Sequence, residues 1–257
     1  MNTTATWTSF STIFRREVRR FTRIWPQTLV PPVITMSLYF VIFGSLIGRR
    51  IGEMGGYSYM EFVVPGLIMM SVITNSYANV VSSFYSAKFQ RSVEELLVSP
   101  TPNWVVMAGY VLGGVARGLI VGFVVTVIAM LFTSLSVQHI GITMLIVFLT
   151  SVLFALAGFI NAIYANSFDD ISIIPTFVLT PLTYLGGVFY SIDLLSPFFQ
   201  GLSKLNPILY MVNAFRYGVL GVSDINVVWA FVGVLVFIAL LGAWGLHLMS
   251  HGKRLRH

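Results

Sequence analysis

Apolar residues run in blocks of twenty or more along this chain, separated by short polar breaks. A block of that length crosses a bilayer core of roughly 30 Å at about 1.5 Å per helical residue. The pattern predicts an all-α polytopic membrane protein with six transmembrane helices, at about 27–48, 58–87, 104–132, 140–165, 171–190 and 227–250. Pro31 and Pro32 are expected to kink the first span near its start, and Pro175 and Pro181 lie inside the fifth. Residues 191–226 break the pattern. They are too interrupted for one span and too apolar for a free loop, and Pro197 and Pro207 cut them into pieces shorter than a crossing. They are expected to form outer re-entrant half-helices, a backbone tolerated at membrane depth only inside protein or beside a cavity.

Two stretches carry a different pattern. In residues 1–25 the helical period puts Trp7, Phe10, Ile13, Phe14, Val18, Phe21, Ile24 and Trp25 on one face. Arg15, Arg16, Arg19, Arg20 and Arg23 fall on the other, with Glu17 the one acid among them. An amphipathic interfacial helix is expected, apolar side down and arginines toward lipid phosphates; the alternative is a cytoplasmic helix packed on the protein. The second stretch is 87–103. Val93, Leu96 and Leu97 share one side of a short helix, while Arg91, Glu94 and Glu95 lie toward the other. Pro100 and Pro102 stop it. In the third span Gly109, Gly113, Gly114, Gly118 and Gly122 form a small-residue ridge that admits another helix closely.

Composition agrees with a membrane class. Hydrophobic residues make up 56% and charged residues 9%, whereas about a quarter of a soluble domain is charged. Cysteine is absent, which removes disulfides and thiolate metal sites. The net charge of +6 sits at span ends, where it sets orientation. Ten lysines and arginines fall on the side of the termini, including Lys88, Arg91 and the basic tail 251–257 with Lys253, Arg254 and Arg256. Arg49, Arg50, Lys204 and Arg216 fall on the other. The termini, the 88–102 helix and the 166–170 turn are therefore expected in the cytoplasm and 191–226 outside. The first span is expected to remain as an anchor.

Candidate chemistry is sparse. No Walker A loop occurs: Lys253 follows a glycine, but His247 and Arg254 occupy positions that need Gly and Ser/Thr. No H-E-x-x-H or G-x-S-x-G is present, so no catalytic, cofactor or metal residue is expected. Arg117 is the deepest charge, with two readings: a contact for an anionic group on the pathway, or a partner for helix carbonyls or a carboxylate. Asn75, Asn79 and Asn161 bond across helices or line the pathway. Glu61 is expected at the outer interface or paired with Arg49, Arg50 or Arg216. Asp169 and Asp170 either contact a partner or, with Ser167 or Asp169 as cap, start span five.

Several words of the sequence then fall into a known order. Phe62-Val-Val-Pro-Gly-Leu67, Glu95-Leu-Leu-Val-Ser-Pro100, Pro181-Leu-Thr-Tyr-Leu-Gly-Gly187, and Asn206-Pro207 followed by Phe215-Arg-Tyr-Gly218 are similar to the pattern of the ABC-2 type transporter permeases. The resemblance covers about 20–250 and is closest to bacterial inner-membrane members. It implies half of a transmembrane pathway, a homodimer, and a separate ABC ATP-binding subunit in two copies. That partner would hold ATP and Mg, with no cofactor on this chain. It implies a coupling helix at Phe89–Val98. Phe89, Arg91, Glu94 and Glu95 would meet the ATPase, Leu96, Leu97 and Val93 would be apolar anchors, and Phe168, Asp169 and Asp170 would form a second cytoplasmic contact. Arg117, Asn75 and Asn79 become possible pathway residues, and Asn206, Pro207 and Arg216 mark the outer segment. The implied activity is export of an amphiphilic lipid, glycan or drug-like substrate. An ATP-independent secondary transporter or channel is the competing reading, and would call for titratable relays inside the spans or repeat symmetry. A membrane scaffold would leave the 88–102 helix without a purpose.

Overall fold

The computed structural model describes residues 3–251, so most of the expected basic tail, with Lys253, Arg254 and Arg256, lies outside the described residues. Helices account for most of it. In chain order they are α1 (Thr3–Arg23), α2 (Trp25–Ile51), α3 (Tyr59–Phe89), α4 (Ser92–Val98), α5 (Asn103–Ala129), α6 (Ile140–Tyr164), α7 (170–184), α8 (Pro197–Lys204), α9 (Pro207–Leu220) and α10 (Val227–His251). A two-strand hairpin, Glu53–Met54 against Tyr57–Ser58, joins α2 to α3.

α3 is the axis. It is buried along almost its whole length and packs on both α5 and α6. Its start is a capping box: the Ser58 hydroxyl accepts from the Glu61 N–H, and the Glu61 carboxylate accepts from the Ser58 N–H at 3.0 Å. Glu61 therefore serves its own helix, not Arg49, Arg50 or Arg216. One end of the bundle gathers α1, α4, the starts of α5 and α7, and the ends of α3, α6 and α10. The other gathers the hairpin and residues 185–226.

α2, α3, α5, α6 and α10 are long and apolar enough to cross a membrane. The expected fifth span is the departure. Helix stops at Tyr184, and Gly187, at φ 68°, turns the chain. At about 1.5 Å per residue, 170–184 is roughly 22 Å long. Its middle, Pro175–Leu179, is a π turn, and the Thr180 hydroxyl donates to the Pro175 carbonyl at 2.9 Å. Pro181 has no N–H to give and its ring crowds the carbonyl four residues back, so the helix widens. α7 still joins the two ends, since Ile171 O meets Asn161 and Leu182 O meets Asn206. In α2 as well, Pro31 and Pro32 sit within continuous helix, and the irregular π segment comes later, at Val41–Ile47.

The glycine ridge of α5 serves two neighbours. A Cβ on Gly114 would lie 2.4 Å from Val80 and 2.9 Å from the Ser76 carbonyl, and one on Gly122 would lie 2.7 Å from Val72, so this side seats α3. A Cβ on Gly109 or Gly113 would lie 2.5 Å from Ile13 or Glu17, so the other side seats α1. This corrects the purely interfacial reading of α1. Ile13, Glu17 and Phe21 are buried in protein. The Glu17 carboxylate accepts from the Ser83 hydroxyl at 2.7 Å and pairs with Arg20 at 3.4 Å. Arg16 donates to the Tyr110 hydroxyl. Trp7, Arg15, Arg19 and Arg23 remain exposed. α1 is thus packed along one edge and free along the other.

Candidate functional site

The site grows from the end of α3. That helix runs to Phe89, then turns through Gln90 and Arg91, the one non-glycine residue with positive φ (59°) among the described residues. α4 begins only at Ser92. The helix expected at Phe89–Val98 is therefore two pieces, with Phe89 closing the first. Val93 is buried (1% exposed), and Leu96 and Leu97 pack partly into the chain's own core. They anchor α4 to this chain, while Leu96 and Leu97 keep part of their surface outward. The residues left outward are Arg91, Glu95, Val98 (84% exposed) and Phe89 (66%).

The 165–170 turn comes up beside it. Lys88 Nζ donates to the carbonyls of Ile163 and Ala165, both at 2.8 Å. It satisfies acceptors that a helix end leaves open, and its charge suits that end of α6. α3 and α6 are thereby tied together. The turn is closed by a reciprocal cap: the Asp170 N–H donates to the Ser167 hydroxyl at 3.1 Å, and the Asp170 carboxylate accepts from the N–H groups of Asn166 (2.8 Å) and Ser167 (3.2 Å). The Asn166 N–H foremost, then the Ser167 hydroxyl, hold the Asp170 carboxyl below its ordinary value. Asp170 is thus a cap, while Asp169 faces out with its carboxylate unbonded.

Phe168 packs edge-on against Tyr85 (centroids 4.9 Å apart) and Phe89 (5.2 Å). Tyr85, Lys88, Phe89, Arg91, Glu94 and Asn166 line a groove of about 390 Å³. The two cytoplasmic contacts expected separately from the sequence form one surface. Tyr85 and Lys88 were missed: Tyr85 reads as span and Lys88 as one more end charge, and only the one-turn spacing of Tyr85 before Phe89 hints at the groove.

The polar residues of the spans do not converge. Arg117 Nη2 donates to Asn75 Oδ1 at 3.1 Å, and Asn75 Nδ2 donates to the Ser71 carbonyl. No carboxylate pairs with Arg117 among the described residues. Asn79 belongs elsewhere, accepting from Arg20 at its carbonyl (2.9 Å) and side chain (2.8 Å). At the opposite end Asn206 caps α9 through Ile208 N, with Pro207 at the first helical position. Arg216 is fully buried. It donates to the carbonyls of Gly187 (2.6 Å) and Phe62 (3.4 Å), and its guanidinium lies 3.9 Å from the Phe62 ring centroid and 3.9 Å from the Asp224 carboxylate.

A family model described as ABC-2 type transporter matches residues 8–220. The chain belongs to the ABC-2 type transporter family. It is 60% identical over 250 residues to the inner membrane transport permease YadH of Escherichia coli K12, covering 97% of this chain and 98% of that one. It is also 23% identical over 217 residues to nodulation protein J of Neorhizobium galegae, with 83% of each covered. The ABC-2 words quoted from the sequence all lie inside the matched region. With its long apolar helices this ABC-2 chain is a multi-pass inner-membrane protein and a transport permease of the ABC type. It belongs with the membrane subunits of such systems, whose general partner is an ABC ATP-binding protein.

Proposed function

We propose that this chain is the membrane half of an ATP-driven exporter, working as a homodimer, with one ATP-binding subunit seated in the groove of each copy. ATP and Mg belong to that partner. The observation that carries the reading is the ring contact of Phe89 and Phe168, exposed aromatics from segments far apart in sequence, at a groove that Phe89 lines with Arg91 and Glu94. Exposed aromatics ringed by charge are a common composition for a protein-docking patch. The positive-inside count supports placing this end and both termini in the cytoplasm. α7 then serves as the sixth crossing, a short one, and α8 and α9 as the outer half-helices.

The mechanism follows from what the groove touches. Closure of two ATP-binding subunits presses on α4 and the 165–170 turn. Lys88 shares that push between α3 and α6. α3 carries it to the opposite end, where a Cβ on Gly66 would lie 2.6 Å from the Val188 carbonyl. Movement of α3 therefore reaches the 185–190 turn at close contact. The apolar spans suit an amphiphilic lipid, glycan or drug-like cargo.

The test is recovery of the ATP-binding subunit with the detergent-purified permease. Phe89→Ala with Phe168→Ala, and separately Glu94→Ala with Glu95→Ala, are expected to lower recovery. The aromatic pair should have the larger effect, about tenfold or more if each ring contributes over 1 kcal/mol. Permease yield should stay normal, because both rings are half exposed or more. Unchanged recovery in the aromatic double variant would remove the docking assignment.

A further inference from the structure

A second concavity lies away from the docking groove, between α8–α9 and the first half of α10. It is about 480 Å³ and is lined by Lys204, Tyr210, Met211, Trp229, Gly233 and Phe237 among others. That size is ordinary for a small-molecule site. Its chemistry is graded. Met211 is buried in the floor, while Trp229 (68% exposed) and Phe237 (45%) stand on the open side. A Cβ built on Gly233 meets nothing within 4 Å, so a slot stays open there.

One charged group stands at the mouth. Lys204 is exposed, no acid lines the groove, and Lys204 enters none of the ion pairs among the described residues. The Tyr210 hydroxyl donates to the Lys204 carbonyl at 2.8 Å and holds the end of α8 over α9. The backbone that carries the cation is therefore fixed. An apolar slot with one fixed-base ammonium at its rim matches a molecule with a hydrocarbon tail and an anionic head.

We propose that this groove binds one anionic phospholipid of the outer leaflet, its phosphate on Lys204 and an acyl chain along Gly233. The leaflet rests on the outward orientation proposed above. An inner-leaflet source for the same head-group chemistry would sit on Arg15, Arg19 and Arg23 instead, at the other end of the bundle.

The experiment titrates detergent-purified full-length protein with phosphatidylglycerol or phosphatidylcholine and reads bound lipid by native mass spectrometry. Wild type is expected to favour phosphatidylglycerol. Lys204→Glu should erase a preference of about fivefold, and Lys204→Arg should keep it. Gly233→Leu should weaken both lipids alike by filling the slot. Both positions face outward, so the variants keep the fold. An unchanged preference in Lys204→Glu overturns the proposal, and so does full binding in Gly233→Leu. Orientation is read separately. The chain has no cysteine, so Leu205→Cys, at an 81% exposed position, reports sidedness to an impermeant maleimide on intact cells. Labelling from outside supports the leaflet. Labelling only after permeabilisation overturns the orientation and the leaflet together, whatever the titration gives.

Discussion

The two ends of the bundle use charge in opposite ways. At the α4 end Arg91 and Glu95 face out, the aromatics Phe89 and Phe168 stand exposed beside them, and the groove is open. At the other end Arg216 is wholly buried and spends its donors on Gly187, Phe62 and Asn213, within reach of Asp224. Exposed charges of the first kind add little to a fold, with a median near 0–1 kcal/mol for surface pairs. A buried guanidinium is tolerable only when saturated. The first end is therefore available to a partner. The second is committed to holding α3, the 185–190 turn, α9 and the 221–226 loop in one arrangement.

The strongest way to break that contrast is Arg216→Ala. It leaves the buried Gly187 carbonyl without its side-chain donor and takes a second donor from the helical Phe62 carbonyl, and each unsatisfied group costs roughly 1–3 kcal/mol. A loss on the order of 3–5 kcal/mol is expected, as for other broken buried pairs. The measurement is thermal unfolding and monodispersity in detergent. Arg216→Lys should restore little, because one ammonium cannot reproduce the guanidinium fork. A melting temperature near wild type would mean that this end of the bundle does not depend on this residue.

The glycine ridge sharpens the comparison at a smaller scale. Gly114→Leu drives a side chain into the Ser76 backbone carbonyl, which cannot move aside, so the central α3–α5 contact should lose roughly 1–3 kcal/mol or somewhat more. Gly113→Leu instead meets the Glu17 side chain. It should release α1 and leave the bundle standing, seen as faster amide exchange across α1 with a modest fall in melting temperature. Equal protection of α1 in both variants would argue against two-sided use of the ridge.

Much of this was legible in the sequence, and the failures are physical. Five long apolar helices and the short helices between Pro197 and Leu220 follow from apolar block length and proline placement. The helix of the expected 171–190 span ends early, at Tyr184, because residues after Gly187 are apolar for packing, as the buried Val188 shows. The pair Gly186-Gly187, already visible, marks where the helix unwinds. Glu17 looked like an exception on an arginine face. It is four residues from both Ile13 and Phe21, which puts it on a buried stripe opposite Gly113. Arg216 looked like one outer charge among four. Its burial depends on carbonyls from Phe62 and Gly187, remote in sequence, and no local pattern encodes those.

The finest comparison is within the α4 end, between Asp169 and Asp170. They are adjacent, yet only Asp170 accepts hydrogen bonds, from the Asn166 and Ser167 N–H groups. Those bonds depress its folded pKa. A depressed carboxylate stabilises above its unfolded pKa of about 3.9, and that stabilisation is lost as pH falls through the lower folded value. Asp170→Asn should therefore lower the melting temperature slightly at neutral pH, with the gap to wild type closing as pH drops below the ordinary carboxylate range. Asp169→Asn should leave the melting temperature unchanged throughout, because its carboxylate holds no bond in the fold. A neutral-pH loss on Asp169→Asn, or an Asp170→Asn gap that persists in acid, would show that the turn is held by something other than this charged cap.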